Sequence, residues 1–339
     1  MKSYKVAVIG AGDMGSNHAA AWKLAGHEVI SITDIDEPRA QSIANQYELE
    51  KVYTDYKQAA ADPEAEIISI CLPLPFHAPV TIYAAQQGKH VFCEKPLANS
   101  FQDAAAMEEA VRKAGVQFGI GFQRNLSNSL KQVKQWADEG KFGTPMVINS
   151  TNMMEVRPKR IMHDANGNNG PIMDTGCHYF LMWQTIFGSK PKSIYARGGI
   201  LAKDRAELSH IQSLAIDTGI ITVEYESGDI AEMTVSWGLP AGFKMGGRTD
   251  RIFGPKGGAE GSFNNVTDRL MLYEGGEKEE VPVDRNQNLH QDQFALFAEA
   301  IEKGEPAPVS FQAGKEMLAV TLAILESIET EKVVSYVHP

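Results

Sequence analysis

Hydrophobic positions along the chain follow two regimes. Up to about residue 122, short apolar runs alternate with amphipathic stretches of helical length. Lys5-Val6-Ala7-Val8-Ile9, Glu28 to Thr33, Ile67-Ile68-Ser69-Ile70-Cys71-Leu72, His90-Val91-Phe92-Cys93 and Val116 to Ile120 read as strands, with a shorter one at Val52-Tyr53. Helices are predicted after Gly15 to Leu24, from Pro38 to Tyr47, near Pro79 to Gln87, and from Phe101 to Ala114. Strands that are apolar throughout, each followed by a helix, indicate a parallel sheet covered on both faces.

Beyond Phe122 the period changes. A helix around Ser129 to Glu139 leads to a strand from Pro145 to about Met153, then a polar loop rich in Arg, Asn and Gly. After Gly188 the apolar residues alternate with a period of two. In one predicted hairpin Gly219, Ile221, Val223 and Tyr225 share a face, Ser227-Gly228 turn the chain, and Ala231, Met233, Val235 and Trp237 share the face of the return strand. Short strands follow near Arg251-Phe253, Ala259-Phe263 and Leu270-Tyr273, and helices around Gln291 to Glu302 and Gln312 to Ile328 close the chain. Phe294 and Phe297 read as core on the first of these. The expected fold is α/β: a doubly wound parallel sheet over residues 1–122, then an α+β domain with a large, mostly antiparallel open sheet over 123–339. The uncovered face of that sheet calls for a partner, and self-association is expected.

Composition narrows the function. A chain of 339 residues has room for two cored domains, and a net charge of −11 disfavours nucleic acid or an anionic membrane as partner. Apolar runs fall short of a membrane span and no charged leader precedes one, so a cytoplasmic protein is expected. Cys71, Cys93 and Cys177 have no metal-ligand spacing and read as reduced, mostly buried thiols. No metal is expected.

Three segments carry chemistry. Gly10-Ala11-Gly12-Asp13-Met14-Gly15 is G-x-G-x-x-G between a strand and a helix. The first glycine permits the turn, the second admits a pyrophosphate to the backbone, and the third lets helix pack on strand. Asp34 ends the next strand at the spacing that suits an adenosine ribose, where it would repel a 2′-phosphate; Ile35 and Asp36 bring no positive charge, although Arg39 is near. NAD is therefore favoured over NADP. Second, Glu94-Lys95-Pro96 ends a strand and places a lysine at the mouth of the sheet, a compact charge suited to an alcohol or carbonyl oxygen. Third, Asp174 and His178 are four apart behind Gly170-Pro171, so a helix would present both on one face. Such a histidine can take a proton from an alcohol, with the aspartate orienting it or touching substrate.

With these motifs in order, the chain resembles the glucose–fructose oxidoreductase, inositol dehydrogenase and rhizopine-catabolism (Gfo/Idh/MocA) family along nearly its whole length. The resemblance implies a Rossmann domain, a second domain whose open sheet mediates homodimers or homotetramers, and NAD(P)-dependent chemistry at a secondary carbon of a sugar, inositol or related polyol. It implies Lys95, Asp174 and His178 as the catalytic set, with His178 the proton acceptor. It places Pro73 and His77 on the nicotinamide side, and Gln123, Arg124 and Asn125 where the domains meet. The cofactor set is then Gly10, Gly12, Asp13, Met14, Gly15, Asp34, Ile35, Leu72, Pro73, His77, Glu94, Lys95, Gln123 and Arg124. Substrate contacts are expected from Lys95, Arg157, His163, Asn169, Asp174 and His178, with Arg160, Asp164 and Asn168 as further loop candidates. Two positions depart from the family pattern: Asn168-Asn169-Gly170 replaces a glycine-rich run, and Leu181 stands where an acidic residue is common. Two rival functions remain at this stage, a redox-neutral NAD enzyme that cleaves or epimerises a glycoside and a non-catalytic NAD sensor.

Overall fold

The computed structural model describes residues 2–243 and 248–339. Its first part interleaves strands β1 (Lys5–Ile9), β2 (Glu28–Thr33), β3 (Lys51–Tyr53), β4 (Ile67–Ile70), β5 (His90–Cys93) and β6 (Phe118–Ile120) with helices α1 (Asp13–Leu24), α2 (Glu37–Tyr47), α3 (Tyr56–Ala61), α4 (His77–Gln86) and α5 (Phe101–Ala114). All strand pairs are parallel in the order β3-β2-β1-β4-β5-β6. This is the doubly wound order, whose ligand crevice lies at the carboxyl ends of the strands where the order reverses. β1 and β4, the two strands flanking that reversal, are buried almost throughout, as their apolar sequences require.

The second part contains α6 (Asn128–Asp138), β7 (Val147–Glu155), α7 (Cys177–Phe187), β8 (Pro191–Gly199), β9 (Thr218–Tyr225), β10 (Ile230–Leu239), β11 (Arg248–Phe253), β12 (Gly257–Gly261), β13 (Arg269–Glu274), β14 (Glu277–Pro282), α8 (Leu289–Lys303), α9 (Phe311–Thr330) and β15 (Val334–Ser335). Nine strands form one sheet in the order β14-β13-β12-β11-β7-β10-β9-β8-β15. It is antiparallel except where β7 runs parallel to β10. The β9–β10 hairpin pairs Val223 with Ala231, Ile221 with Met233 and Gly219 with Val235, so the alternating apolar residues share the buried face. Helix α7 is tied to that face where Trp183 Nε1 donates to Ser150 Oγ at 3.2 Å and Asn152 Nδ2 donates to the Tyr179 hydroxyl at 3.1 Å. The opposite face leaves Tyr195, Ile220, Ile230 and Phe253 exposed. No described helix is long and apolar enough to cross a membrane.

The chain divides into two compact units, residues 1–123 with 288–315, and 124–287 with 316–339. A single cut after residue 122 is therefore too simple. The reason is the aromatic face of α8. Phe294 stacks on Trp22 of α1 with ring centroids 4.1 Å apart and planes 7° from parallel, and meets Phe92 of β5 edge-on at 4.9 Å. Each such pair adds about 1 kcal/mol beyond the area it buries. Phe294 and Phe297 are core residues as expected, but of the first unit's core.

Candidate functional site

In the first unit the glycine turn is built as its spacing demands. Gly10 has φ +104°, and a Cβ there would stand 2.4 Å from the Cys71 carbonyl oxygen. A Cβ on Gly15 would stand 1.7 Å from the Gly10 carbonyl oxygen. Around Gly12 there is open space, nothing lying within 4 Å of a Cβ position. Two glycines thus close the turn and the middle one leaves a cradle. Helix α1 starts at Asp13 with Gly12 at its N-cap and no side-chain cap, so its first-turn amides, through Asp13 and Met14, suit a pyrophosphate. Asp34 accepts from the Ala11 amide at 2.8 Å and the Asp36 amide at 3.0 Å, and Arg39 Nη2 donates to it at 2.6 Å. Burial pushes its carboxyl up, but these hydrogen bonds outweigh that and hold it below the usual range. Ile35 beside it is exposed. The residues present fit a dinucleotide.

The ends of β4 and β5 are stitched together by His77. Its buried ring sets Nδ1 2.8 Å from the Pro96 carbonyl oxygen and Nε2 2.9 Å from that of Leu72, fixing the Leu72-Pro73 turn against the segment that follows Lys95. Glu94 is buried; its Oε1 lies 2.9 Å from His18 Nε2 and its Oε2 accepts from the Lys95 amide at 3.3 Å. Burial raises the Cys71 and Cys93 thiols well above their ordinary range, which leaves them neutral packing groups. Gln123 Nε2 lies 3.5 Å from His290 Nε2. The donor atoms of His18, Glu94 and His290 all lie within 4.8 Å of one another, a spacing a metal could use. However, His18 already spends Nε2 on Glu94 and Nδ1 on Ser69 at 2.9 Å, so the charge is balanced by hydrogen bonds among the residues themselves. Sequence reasoning passed over His18, Ser69 and His290, although a histidine among the apolar residues of α1, three after Gly15, is a signal.

In the second unit Asp174 does not lie on a regular α-helix. Ile172–Gly176 forms a π-helical turn that runs directly into α7, so the expected i,i+4 pair straddles a widened turn. Such turns recur at functional sites because they re-aim side chains. Asp174 and His178 are each 6 % exposed, buried enough that water competes weakly for them. The Cys177 thiol donates to the Asp174 carbonyl oxygen at 3.4 Å and packs inside, as expected. Close by in charge, Arg124 has its pKa lowered by burial and by Arg248, with Tyr179, Cys177 and Asp174 opposing. Burial pushes the Tyr179 hydroxyl up to about 12.

The loop before the π-helical turn is pinned. His163 is buried and its Nε2 accepts from the Arg157 amide at 2.9 Å, while its ring meets Trp237 edge-on at 5.9 Å. The Arg157 guanidinium lies 6.0 Å from the same indole ring. Ala165 and Ala215 amides bond to the Ser213 and His163 carbonyls, joining this loop to the one before β9. Asp164 Oδ1 accepts from the Asn166 amide, and Asn168 and Asn169 donate backbone N–H to Ile161 and Asp164. Asn169 and Gly170 take φ of +56° and +72°, the pair of left-handed residues that turns the chain toward Pro171. Arg160 lies on the short 3₁₀ turn Arg160–Met162. Lys95 thus belongs to the first unit, and Asp174, His178, Arg157, His163 and Asn169 to the second.

Comparison with known proteins agrees with this division. Residues 4–122 match the oxidoreductase family with an NAD-binding Rossmann fold, and residues 130–260 match the GFO/IDH/MocA C-terminal domain. Among curated relatives, the uncharacterized oxidoreductase YrbE of Bacillus subtilis is 29% identical, over 99% of this chain and 98% of its own. The myo-inositol 2-dehydrogenase of Thermotoga maritima is 26% identical, over 97% of each. Among solved structures, levoglucosan dehydrogenase in complex with NADH and L-sorbose superposes with a TM-score of 0.88 at 20% identity, over 100% of both chains, a likeness of fold. Both matched domains come from one family and stand in the order in which the glycine turn and the Asp174/His178 segment occur. The chain therefore belongs to the GFO/IDH/MocA oxidoreductases, whose N-terminal Rossmann domain binds NAD.

Proposed function

We propose that this oxidoreductase is a dehydrogenase that converts a secondary hydroxyl of an inositol, sugar or related polyol to the ketone, with NAD as its cofactor. The observation that carries the reading is the buried Asp174/His178 pair at a π-helical turn, in a chain whose other unit ends a strand in Glu94-Lys95. NAD, when bound, supplies the hydride acceptor. The Gly12 backbone and the first turn of α1 would hold its pyrophosphate, and Asp34 its ribose hydroxyls. His178 takes the proton from the substrate hydroxyl, and Asp174 fixes the imidazole or a neighbouring hydroxyl. Lys95 offers a positive charge to the oxygen as negative charge grows on it. Asn169 and the Arg157/His163 loop are the proposed contacts to the remaining hydroxyls. Kinship over the full length with a myo-inositol 2-dehydrogenase supports a ring polyol. The Asp34 carboxylate, already paired with Arg39, supports NAD over NADP, because a 2′-phosphate would have to break that pair to be tolerated. The open sheet face with Tyr195, Ile220, Ile230 and Phe253 is the proposed contact of a homodimer or homotetramer.

Absorbance of NADH, followed with NAD or NADP across inositols, free sugars and glycosides, tests the reading. NADH should form with at least one ring polyol, and Lys95→Ala and His178→Ala should each lower turnover by about 10²–10⁴-fold. Undiminished turnover in Lys95→Ala removes the lysine from the mechanism. Measurable NAD binding with no reduction by any member moves the assignment to a redox-neutral enzyme or a non-catalytic NAD sensor.

A further inference from the structure

The first unit buries an unbroken chain of polar side chains that the reaction above does not use. Trp22 Nε1 lies 2.9 Å from Ser69 Oγ, Ser69 Oγ lies 2.9 Å from His18 Nδ1, and His18 Nε2 lies 2.9 Å from Glu94 Oε1. Trp22, Ser69 and His18 are 0 % exposed and Glu94 is 5 % exposed. The proton directions follow from what each group can do. An indole N–H only donates, so Ser69 accepts from Trp22 and sends its own proton to His18 Nδ1. His18 Nε2 then carries the ring proton and donates it to Glu94, which accepts as an anion. The second carboxylate oxygen takes the Lys95 amide. Gly121 is part of the arrangement, because a Cβ there would stand 2.7 Å from Glu94 Oε1.

An apolar side chain would serve this place better if stability were all that mattered. The His18 ring sits against Phe294 at 4.8 Å and Phe92 at 6.0 Å, and a buried carboxylate among aromatic rings is tolerated only with dedicated partners. Burial pushes the Glu94 carboxyl up, yet the His18 hydrogen bond and the positive charge of its neighbours hold it below the usual range. An anion is thus maintained directly beside Lys95.

We propose that Ser69, His18 and Glu94 form a positioning relay that holds a fixed negative charge against Lys95 and ties it to α1, the helix that carries the glycine turn. The inference rests on the reading of Lys95 as the group that meets the substrate oxygen. Glu94 favours the protonated lysine through Coulomb attraction, and His18, anchored through Ser69 to Trp22, keeps the carboxylate aimed. The groups that face Glu94 are His18 from α1, His290 from α8, His77 from α4, Lys95, and the thiols Cys71 and Cys93. Both thiols are kept neutral by burial, which leaves Glu94 the anion of the group.

The experiment is a direct titration of the Lys95 ammonium by NMR in protein labelled with ¹³C at lysine Cε, its signal identified by its loss in Lys95→Arg. Glu94→Gln keeps the shape and removes the charge. It should lower the Lys95 pKa by about one unit and move the alkaline limb of the kcat profile down by the same amount. His18→Asn, too short to reach Glu94, should shift the titration the same way by less. A purely structural role lowers the melting temperature but leaves the Lys95 titration where it was, and that result in both variants overturns the relay. The two readings fail separately. Turnover lost in Lys95→Ala with an unmoved titration in Glu94→Gln keeps the lysine and rejects the relay. Turnover retained in Lys95→Ala with a shifted titration keeps the coupling of the charges and rejects the lysine's part in the reaction.

Discussion

The two units bury charge in opposite ways. In the first, Asp34 is met by Arg39 and two backbone amides and Glu94 by His18, and both carboxyls end below the usual range. In the second, Asp250 receives the Ser150 hydroxyl at 2.7 Å and the Phe263 amide at 2.9 Å, yet burial still pushes its carboxyl up to about 6. Nearby, the buried Nη1 of Arg124 has no hydrogen-bond partner among the described residues, and neither have Arg157 Nε and Trp237 Nε1. The first unit's two carboxylates are thus paired before a ligand arrives, which suits a cofactor of constant shape. The second keeps arginine and indole donors unspent, and a buried donor left unpaired penalises a ligand that cannot accept from it.

The sharpest way to break that contrast is at the glycine turn. Gly15→Ala forces its Cβ onto the Gly10 carbonyl, so the turn must shift, and it should cost about 3 kcal/mol or more of stability and abolish NAD binding. Gly12→Ala meets open space and should leave the melting temperature within about 2 °C while weakening NAD at least about tenfold. Differential scanning fluorimetry with and without NAD separates the two; equal melting temperatures would refute a turn closed by Gly15.

Acid should act on the units with opposite sign. The Asp250 carboxyl is raised from 3.8 to about 6 in the fold, so its burial costs nothing below the unfolded value and destabilises progressively as pH climbs through 6. That rise is worth about 3 kcal/mol at neutral pH. Asp250→Asn should therefore gain stability relative to the parent between pH 4 and 7, read from urea midpoints across that range, and parallel curves would contradict it. In the first unit burial lowers the imidazoles of His27, His77 and His90. Groups held neutral in the fold take up protons only on unfolding, so their contribution is present above about 6.5 and lost as pH falls below it. Hydrogen exchange at pH 5 and 7 should show β1 to β5 loosening with acid more than β7 and β11. His163 is also lowered by burial and makes the second unit's response smaller than Asp250 alone would give.

The smallest effect compares two helix starts. Ser100 caps α5 by accepting the Asp103 amide at 3.1 Å, and Ser100→Ala should cost about 1 kcal/mol. Ser127 caps α6 from a fully buried position and also donates to the Phe263 carbonyl, so Ser127→Ala should cost about 2 kcal/mol. Equal urea midpoints would place both caps on the same footing.

What could be read from sequence depended on distance along the chain. The Gly10–Gly15 turn is local chemistry, one strand, three glycines and a helix; Gly10 and Gly15 close it as the spacing implies, and Gly12 stands in open space. The β9–β10 register follows from strict alternation, since a slip by one would turn Ile221 and Val223 to the wrong face. The π-helical turn at Ile172–Gly176 leaves no trace, because one inserted residue barely alters an apolar pattern. His18 and Glu94 meet across a separation of 76 residues, and nothing in either segment names the other. Helix α8 advertised an aromatic face but not the core that would receive it.

That last helix carries a consequence for biosynthesis. The chain leaves the first unit at Gln123 and re-enters it at Asn288, so residues 124–287, the larger part of the second unit, are inserted within the first. A nascent chain that has emerged through β6 has the whole parallel sheet but lacks Phe294 and Phe297, and the indole of Trp22 is left without its stacking partner. The nucleotide-binding half, first to leave the ribosome, is completed only after residues 124–287 of the second unit have followed it. A fragment ended near residue 123 should stay loosely packed, while one extended past Lys315 should acquire the whole Rossmann core.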